Sequence, residues 1–154
     1  MQVTNASIAP KLASLYDESK ISEMQLMVQR VTKGLAIVGL LFITFFIVLG
    51  QWLLDFWGAG FQEAYWVLVI LSIGQFFNMA TGCSGMILVM CGFEKIHGYI
   101  SLVAVILNII LNVLLILSYG ALGAAIATAI TATFANLTKF VFVRKKLKIS
   151  TIKF

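Results

Sequence analysis

Four long apolar stretches constrain the fold of this chain more than any other feature of its sequence. They cover residues 34–54, 64–90, 99–118 and 121–143, and none of them contains an aspartate or a glutamate. A helix needs about 20 apolar residues to cross the hydrocarbon core of a bilayer, so each stretch is long enough to do so. Because backbone groups in lipid must be paired within their own segment, we expect four transmembrane helices and an all-α membrane protein.

The composition excludes several other classes of protein. Of the 154 residues, 61% are hydrophobic and 11% are charged, whereas soluble proteins average about 45–50% and about 25%. Eleven basic and six acidic residues are too few to cover the surface of a soluble domain of this size. The net charge of +5 is concentrated in short segments, so it indicates membrane topology and not nucleic-acid binding.

The basic residues predict the orientation of the chain. Segments 1–33 and 144–154 are rich in Lys and Arg, 91–98 contains one lysine, and 55–63 contains none. Because basic residues accumulate on the cytoplasmic side of a membrane, we expect both termini in the cytoplasm. Residues 1–33 then form a cytoplasmic amphipathic or linker segment, 34–143 form the four-helix transmembrane bundle, and 144–154 form a basic cytoplasmic tail.

The N-terminal segment leaves two interpretations open. Apolar residues such as Leu12, Met24 and Val28 recur at helical spacing, which indicates one or two short amphipathic helices interrupted near residues 17–19. The segment is either a surface linker into the first span or the end of a preceding transmembrane helix.

The second apolar stretch, 64–90, is longer than a bilayer requires. As one helix it would measure about 40 Å at about 1.5 Å per residue, so it must tilt, bend or extend into the interface. Gly74, Gly82 and Gly85 are the candidate bend points.

Five polar residues inside the stretches are candidates for a substrate path: Gln75, Asn78, Asn108, Asn112 and Lys139. A polar side chain inside a membrane is energetically unfavourable unless it has a polar partner or a functional role. Such residues are therefore the first candidates for a functional site. The alternative for the amides is that they bond neighbouring helices together. The alternative for the lysine is that its long stem reaches the headgroups at the cytoplasmic side.

The fourth stretch also carries a stripe of small residues that includes Gly123, Ala127 and Thr131. Their spacing of four places them on one helix face, where small residues allow close helix packing. The short turn at 118–120 predicts that the third and fourth stretches form an antiparallel hairpin.

No motif of a catalytic or metal site is present in the sequence. It has no P-loop, no HExxH, no paired carboxylates in a span and no nucleophile beside a base. His97 lies in a cytoplasmic connection, where we expect a satisfied or solvated side chain. We therefore expect a protein that is not an enzyme and that has no catalytic residue, metal or cofactor.

The order of these features resembles a known family. The segment at 9–16 (APKLASLY), the stretch at 61–95 with its Gly-Gln, Asn and repeated glycines, the pair Asn108 and Asn112, and the hairpin at 119–130 carry the resemblance. Together they resemble the C-terminal part of the O-antigen flippase-like proteins. These form the polysaccharide and oligosaccharide-lipid flippase branch of the multidrug/oligosaccharidyl-lipid/polysaccharide exporter superfamily.

The resemblance implies a place in a larger transporter. Such proteins have two lobes related by an internal repeat around a central cavity, and this chain corresponds to a fragment of one lobe. The family moves lipid-linked oligosaccharide across the bacterial inner (plasma) membrane. The implied partners are the bilayer, that lipid and a missing N-terminal lobe or second copy, without which the chain is expected to be inactive. The alternatives are a multidrug or small-molecule antiporter of the same superfamily and a nontransporting membrane scaffold.

The orientation can be tested with reporter fusions. Alkaline phosphatase fused after Ala59 should be active, because the enzyme needs the oxidising side of the membrane, whereas a fusion after Lys95 should be inactive. An inactive fusion after Ala59 combined with an active one after Lys95 would show that the orientation is the reverse of the predicted one.

Overall fold

The computed structural model describes residues 2–18 and 20–147, which form helices joined by short turns, without a β-strand among them. Ser19 and residues 148–154 of the predicted tail lie outside the described residues. In chain order the elements are α1 (Gln2–Asp17), α2 (Ile21–Phe56), a 3-10 helix (Ala59–Ala64), α3 (Tyr65–Ala80), α4 (Ser84–Met90) and α5 (Glu94–Leu147). Three helical segments of the described chain are long and apolar enough to cross a membrane: Ile21–Phe56, Phe61–Ala80 and Glu94–Leu147. The expected all-α class is confirmed for these residues.

Helix α2 joins two regions that the sequence pattern separates. It runs without interruption from Ile21 to Phe56, so residues 21–33 extend the first apolar stretch instead of forming a separate surface helix. With 36 residues it is about 54 Å long at about 1.5 Å per residue, which exceeds the thickness of a hydrocarbon core. Its first part therefore projects beyond the apolar layer. Helix α1 ends at Asp17, where the sequence predicts an interruption.

The longest helix, α5, folds back on itself at Gly120. The φ of 55° and ψ of −133° at this residue are non-helical, and a glycine adopts a positive φ at little steric cost. Ser101 and Lys139, which both lie 19 residues from Gly120, are joined by a hydrogen bond of 3.1 Å from Nζ to Oγ. The arms 94–119 and 121–147 are therefore antiparallel, and they form the expected hairpin.

Buried apolar side chains are concentrated at one end of the bundle. They come from α1, the start of α2, α4 and the end of α5, and they form a single cluster that includes Leu12, Met24, Val28, Leu88 and Val143. Helix α1 packs against α4 and α2 in this cluster. The N-terminal segment is thus part of the folded core of the molecule.

The remaining surface of the bundle is largely apolar. Leu41 on α2 is 66% exposed, and Leu117 and Ile109 on α5 are 85% and 58% exposed. A contiguous surface of this kind is unfavourable in water and is typical of a face that lipid or another protein covers. The fold therefore fits a membrane protein.

Small residues allow the two arms of α5 to approach closely. Gly123, Ala127 and Thr131 of the predicted packing stripe are all buried. A Cβ atom on Gly123 would overlap the backbone carbonyl of Leu115 in the opposite arm. The glycine is needed here because the obstacle is backbone, which cannot rotate away as a side chain can.

Substitution of this glycine should destabilise the hairpin. We expect Gly123→Ala to lower the free energy of unfolding by about 1–3 kcal/mol, because the added methyl group forces the arms apart. Thermal unfolding of the purified protein in detergent would measure the change. Gly98→Ala is the matched control, since a Cβ there meets no atom within 4 Å, and equal stability of the two variants would contradict the packing argument.

Candidate functional site

The candidate site lies beside an interruption in the second apolar stretch. Helix α3 ends at Ala80 and α4 begins at Ser84, so 64–90 is two helices and not one. Gly82 in the interruption has a φ of 66°, whereas Gly74 and Gly85, the other candidate bend points, lie inside helices. Among the three expectations of a tilt, a bend or an extension into the interface, the structure shows a bend, and it lies at Gly82.

Side-chain hydroxyls supply partners to backbone groups at this interruption. Thr81 Oγ1 donates to the carbonyl oxygens of Phe77 and Asn78 at 3.0 and 3.1 Å. Ser84 Oγ donates to the carbonyl oxygen of Thr81 at 2.8 Å. The interruption directs the Gly82 N–H to the Met79 carbonyl and not to that of Asn78. The Thr81 hydroxyl therefore pairs a carbonyl oxygen that would be unfavourable if it were left unpaired in an apolar medium.

Thr32 of α2 packs directly on the interruption. Its side chain occupies the space that a Cβ on Gly82 would fill. Its hydroxyl oxygen is buried and has no hydrogen-bond partner among the described residues. The close approach of α2 and the left-handed backbone at Gly82 thus depend on the same glycine.

A cleft of about 360 Å³ opens beside the interruption, and we call it the polar cleft. One wall comes from the end of α3 and the turn after it, a second from α4, and a third from the two arms of α5. Its lining residues are Asn78, Gly82, Cys83, Gly85, Met86, Val89, Met90, His97, Asn136 and Lys139. The polar side chains among them come from three separate parts of the chain.

Three amides form a chain of hydrogen bonds that starts in the wall of the polar cleft and ends outside it at Gln75. Asn136 Nδ2 donates to Asn78 Oδ1 at 3.1 Å, and Asn78 Nδ2 donates to Gln75 Oε1 at 3.3 Å. The first bond joins α3 to the second arm of α5. Sequence reasoning missed Asn136, although a signal was present: it precedes Lys139 by three residues, which places both on one helix face.

Lys139 reaches into the polar cleft. Its Nζ atom donates to Ser101 Oγ at 3.1 Å, and its Cδ atom lies 3.7 Å from the position of a Cβ on Gly85. No ion pair to Lys139 occurs in the described part of the chain. Of the two interpretations offered by the sequence, this geometry favours the cation that faces a cavity over the one that extends to the headgroups.

His97 also lines the polar cleft, at the start of the first arm of α5. Its Nδ1 atom is buried and, within residues 2–18 and 20–147, has no hydrogen-bond partner. The expectation of a satisfied or solvated histidine is therefore wrong for this nitrogen. The sequence places His97 next to an apolar stretch but does not show that α4 folds over it. A Cβ atom on Gly85 of α4 would lie only 3.0 Å from His97 Cε1.

Asn108 and Asn112 lie away from the polar cleft, inside the α5 hairpin. Asn108 Nδ2 donates to Thr131 Oγ1 in the opposite arm at 3.0 Å. Asn112 Nδ2 donates to both the backbone carbonyl and the side-chain carbonyl of Asn108, at 2.9 and 3.0 Å. The bond from Asn108 to Thr131 matches the alternative in which amides bond neighbouring helices together, whereas the bonds from Asn112 stay within its own arm.

Gln75 occupies an intermediate place among the candidate residues. It accepts the hydrogen bond from Asn78, but its side chain is exposed and also borders a groove of about 430 Å³ between α2 and α3. That groove is mostly apolar, with Phe42 and Phe46 in its wall. The structure thus brings Asn78 and Lys139 together, places Gln75 at their edge, and separates Asn108 and Asn112 from them.

The chain is similar in sequence to a curated bacterial protein. Over 137 residues it is 27% identical to the capsular polysaccharide biosynthesis protein CapF of Staphylococcus aureus, a match that covers 88% of this chain and 35% of CapF. The chain therefore spans about a third of the length of that relative. No protein-family profile and no solved structure matches it.

The dependence of the interruption on Gly82 can be measured. We expect Gly82→Ala to lower the free energy of unfolding by about 1–2 kcal/mol, because alanine is strained in a left-handed backbone. The collision of its methyl group with Thr32 should lower that free energy further. The double variant Gly82→Ala/Thr32→Ala should recover only the stability lost to the collision, because the backbone strain remains. Thermal unfolding in detergent would compare them with Thr32→Ala alone. Full recovery in the double variant would show that the left-handed backbone contributes nothing.

Proposed function

We propose that this chain forms part of a transporter that moves lipid-linked oligosaccharide, a precursor of polysaccharide, across the bacterial inner (plasma) membrane. The observation that carries the proposal is the polar cleft itself, a group of amides and a lysine inside a bundle whose outer surface is apolar. The similarity to a capsular polysaccharide biosynthesis protein agrees with a sugar-containing substrate.

The proposed topology has four spans. The fold-back at Gly120 divides α5 into two arms of membrane-crossing length, while α2 and the pair α3–α4 supply the other two spans. With both termini in the cytoplasm, α4 and Lys139 lie in the cytoplasmic half of the bilayer. The polar cleft would then be open to a substrate that arrives from the side where precursors are made.

The two kinds of surface match the two parts of such a substrate. Amide side chains both donate and accept hydrogen bonds, so Asn78 and Asn136 suit the hydroxyl groups of a sugar. The exposed apolar faces suit the lipid chain, which would stay in the bilayer while the headgroup moves. This division lowers the free energy of bringing a polar group into the membrane, since only the headgroup needs a polar surrounding.

A transport cavity needs a second wall. The polar cleft has walls from α3, α4 and α5 only, and we propose that an N-terminal lobe or a second copy supplies the rest. In this proposal the chain alone binds substrate but does not move it.

A chimera with CapF tests the function. The matched segment of CapF would be replaced by this chain in a Staphylococcus aureus strain that lacks CapF, and surface capsule and membrane-bound precursor would be quantified. We expect the Asn78→Leu chimera to lose about tenfold of its surface polysaccharide, equivalent to roughly 1.4 kcal/mol, while lipid-linked precursor accumulates.

The matched control is Gln51→Leu, the same amide-to-leucine change at an exposed residue of α2 far from the polar cleft. Unchanged export by the Asn78→Leu chimera, at normal protein level, would support a nontransporting scaffold. Loss of the precursor itself would contradict transport and indicate a role in its synthesis. Export of an unrelated lipophilic cation in place of the precursor would favour the antiporter.

A further inference from the structure

We propose that a groove on the second arm of α5 binds an anionic phospholipid from the leaflet at that end of the bundle. The ammonium groups of Lys145 and Lys146 contact the phosphate of the lipid, and Leu137, Val141 and Phe142 contact one of its acyl chains. The site is independent of the proposed function, because its occupant is a component of the membrane and not a transported molecule.

The groove follows one face of the arm and has a volume of about 650 Å³. The described residues that line it are Leu137, Thr138, Val141, Phe142, Lys145 and Lys146. They recur at a spacing of four in two adjacent rows, so they lie beside one another on the helix surface. Leu137 and Val141 are exposed, which makes the deeper part of the groove an apolar strip.

A second aromatic ring holds Phe142 of the groove in position. The rings of Phe142 and Phe93 pack edge to face, with 5.9 Å between their centroids. A side chain that is already ordered loses little conformational entropy when a ligand binds to it. This part of the groove is therefore formed before a lipid arrives.

The other end of the groove carries positive charge without a counter-charge from the described chain. Lys145 and Lys146 are exposed, and neither forms an ion pair within residues 2–18 and 20–147. Glu94 lies at about the level of Lys146 in the hairpin, yet the two are not paired. The ammonium groups are thus available to a phosphate, with which lysine forms charge-assisted hydrogen bonds.

The order of groups along the groove matches the order of groups in a phospholipid. The register of the hairpin places Tyr99 at about the level of Val141, and Tyr99 is 69% exposed. Tyrosines are enriched where the headgroups meet the hydrocarbon core. Lys145 lies about one helical turn beyond this level and Leu137 about one turn deeper, as the phosphate and the acyl chain of a lipid do. A soluble anion would use only the lysines, so the arrangement favours a lipid.

The groove is distinct from the polar cleft, although both involve the second arm of α5. No residue of the described lining is shared between them. With about 3.6 residues per turn, the midpoint of Asn136 and Lys139 lies about 140° around the helix from the midpoint of the groove residues. An occupant of the groove therefore lies on the outer surface of the bundle.

Photocrosslinking of the full chain in nanodiscs tests the proposal. The nanodiscs would consist of phosphatidylcholine with a minor fraction of phosphatidylglycerol that carries a diazirine on one acyl chain, and mass spectrometry would locate the adducts. We expect adducts at Leu137, Val141 and Phe142, and few when the diazirine is carried by phosphatidylcholine instead. Equal labelling of the groove by the two lipids would overturn the proposal. This comparison uses the unsubstituted protein, so it does not depend on the folding of a variant.

Substitution of the two lysines tests the contact with the phosphate. Lys145→Gln/Lys146→Gln should lower the yield of groove adducts about tenfold or more, because the charges that attract the phosphate are lost, and Lys145→Arg/Lys146→Arg should retain most of the yield. The matched control is Lys11→Gln/Lys33→Gln, which removes two charges from exposed residues of α1 and α2 outside the groove. Equal loss in the two glutamine variants would show general attraction to a basic protein and overturn the site, as would an unchanged yield in Lys145→Gln/Lys146→Gln.

Val141→Trp tests the contact with the acyl chain. The indole ring should fill the apolar strip, so adducts at Leu137 and Phe142 should fall severalfold although both lysines remain. Ile109→Trp is the matched control, at an exposed residue of the first arm of α5 outside the groove. Equal adduct yields in the two tryptophan variants would reject the groove as the place of the acyl chain.

Competing ligands identify the occupant. Excess unlabelled phosphatidylglycerol should abolish the adducts, whereas farnesyl phosphate, which has an isoprenyl chain, and glycerol 3-phosphate, which has no chain, should not. Displacement by farnesyl phosphate in preference to phosphatidylglycerol would reject a phospholipid in favour of an isoprenyl lipid. Displacement by glycerol 3-phosphate would reject a lipid and indicate a site for a soluble anion.

Discussion

The arrangement of polar and apolar groups in this molecule is the reverse of that in a soluble protein over most of its length. Large aliphatic side chains of α2 and α5 face outward, and amides, hydroxyls and a lysine lie between the helices. Only a medium that cannot hydrogen-bond makes this arrangement stable, because in such a medium polar groups must pair with one another. Helix packing through small residues, the paired interruption at Gly82 and the polar cleft all follow from that requirement.

The interruption between α3 and α4 shows how the same requirement shapes the candidate site. A break in an apolar helix is tolerated where neighbouring side chains bond the freed backbone groups, and the hydroxyls of Thr81 and Ser84 bond backbone carbonyls at this break. Once the helix is broken, α4 packs over His97 and the second arm of α5. The polar cleft is the space left beside that junction.

Much of the helical organisation could be predicted from the sequence. The hydropathy pattern located the apolar helices, and glycine at 120 fitted the hairpin. The excess length of 64–90 predicted a tilt, a bend or an extension into the interface, with Gly82 among the candidate bend points. The continuity of α2 through residues 21–33 was not predictable, because a polar, amphipathic segment can extend a helix or lie on a surface with the same pattern. The structure shows that the segment extends α2.

The site was predicted in part. Asn78 and Lys139 carry a signal within their own segments, since an amide or a cation in an apolar helix is conspicuous. Asn136 and His97 enter the cleft only through contacts between segments, as the bond from Asn136 to Asn78 spans 58 residues. Asn108 and Asn112 were equally conspicuous but bond within the hairpin, which shows that polarity in a span does not reveal which helix face meets a cavity.

Helix α4 has two faces with different neighbours. Ile87 and Leu88 are buried in the cluster that contains Leu12 of α1, while Met86 and Val89 border the polar cleft. The seven residues of α4 therefore lie between the N-terminal helix and the cleft. A substitution at Leu12 that displaced α4 would change the wall of the cleft together with the packing of the cluster.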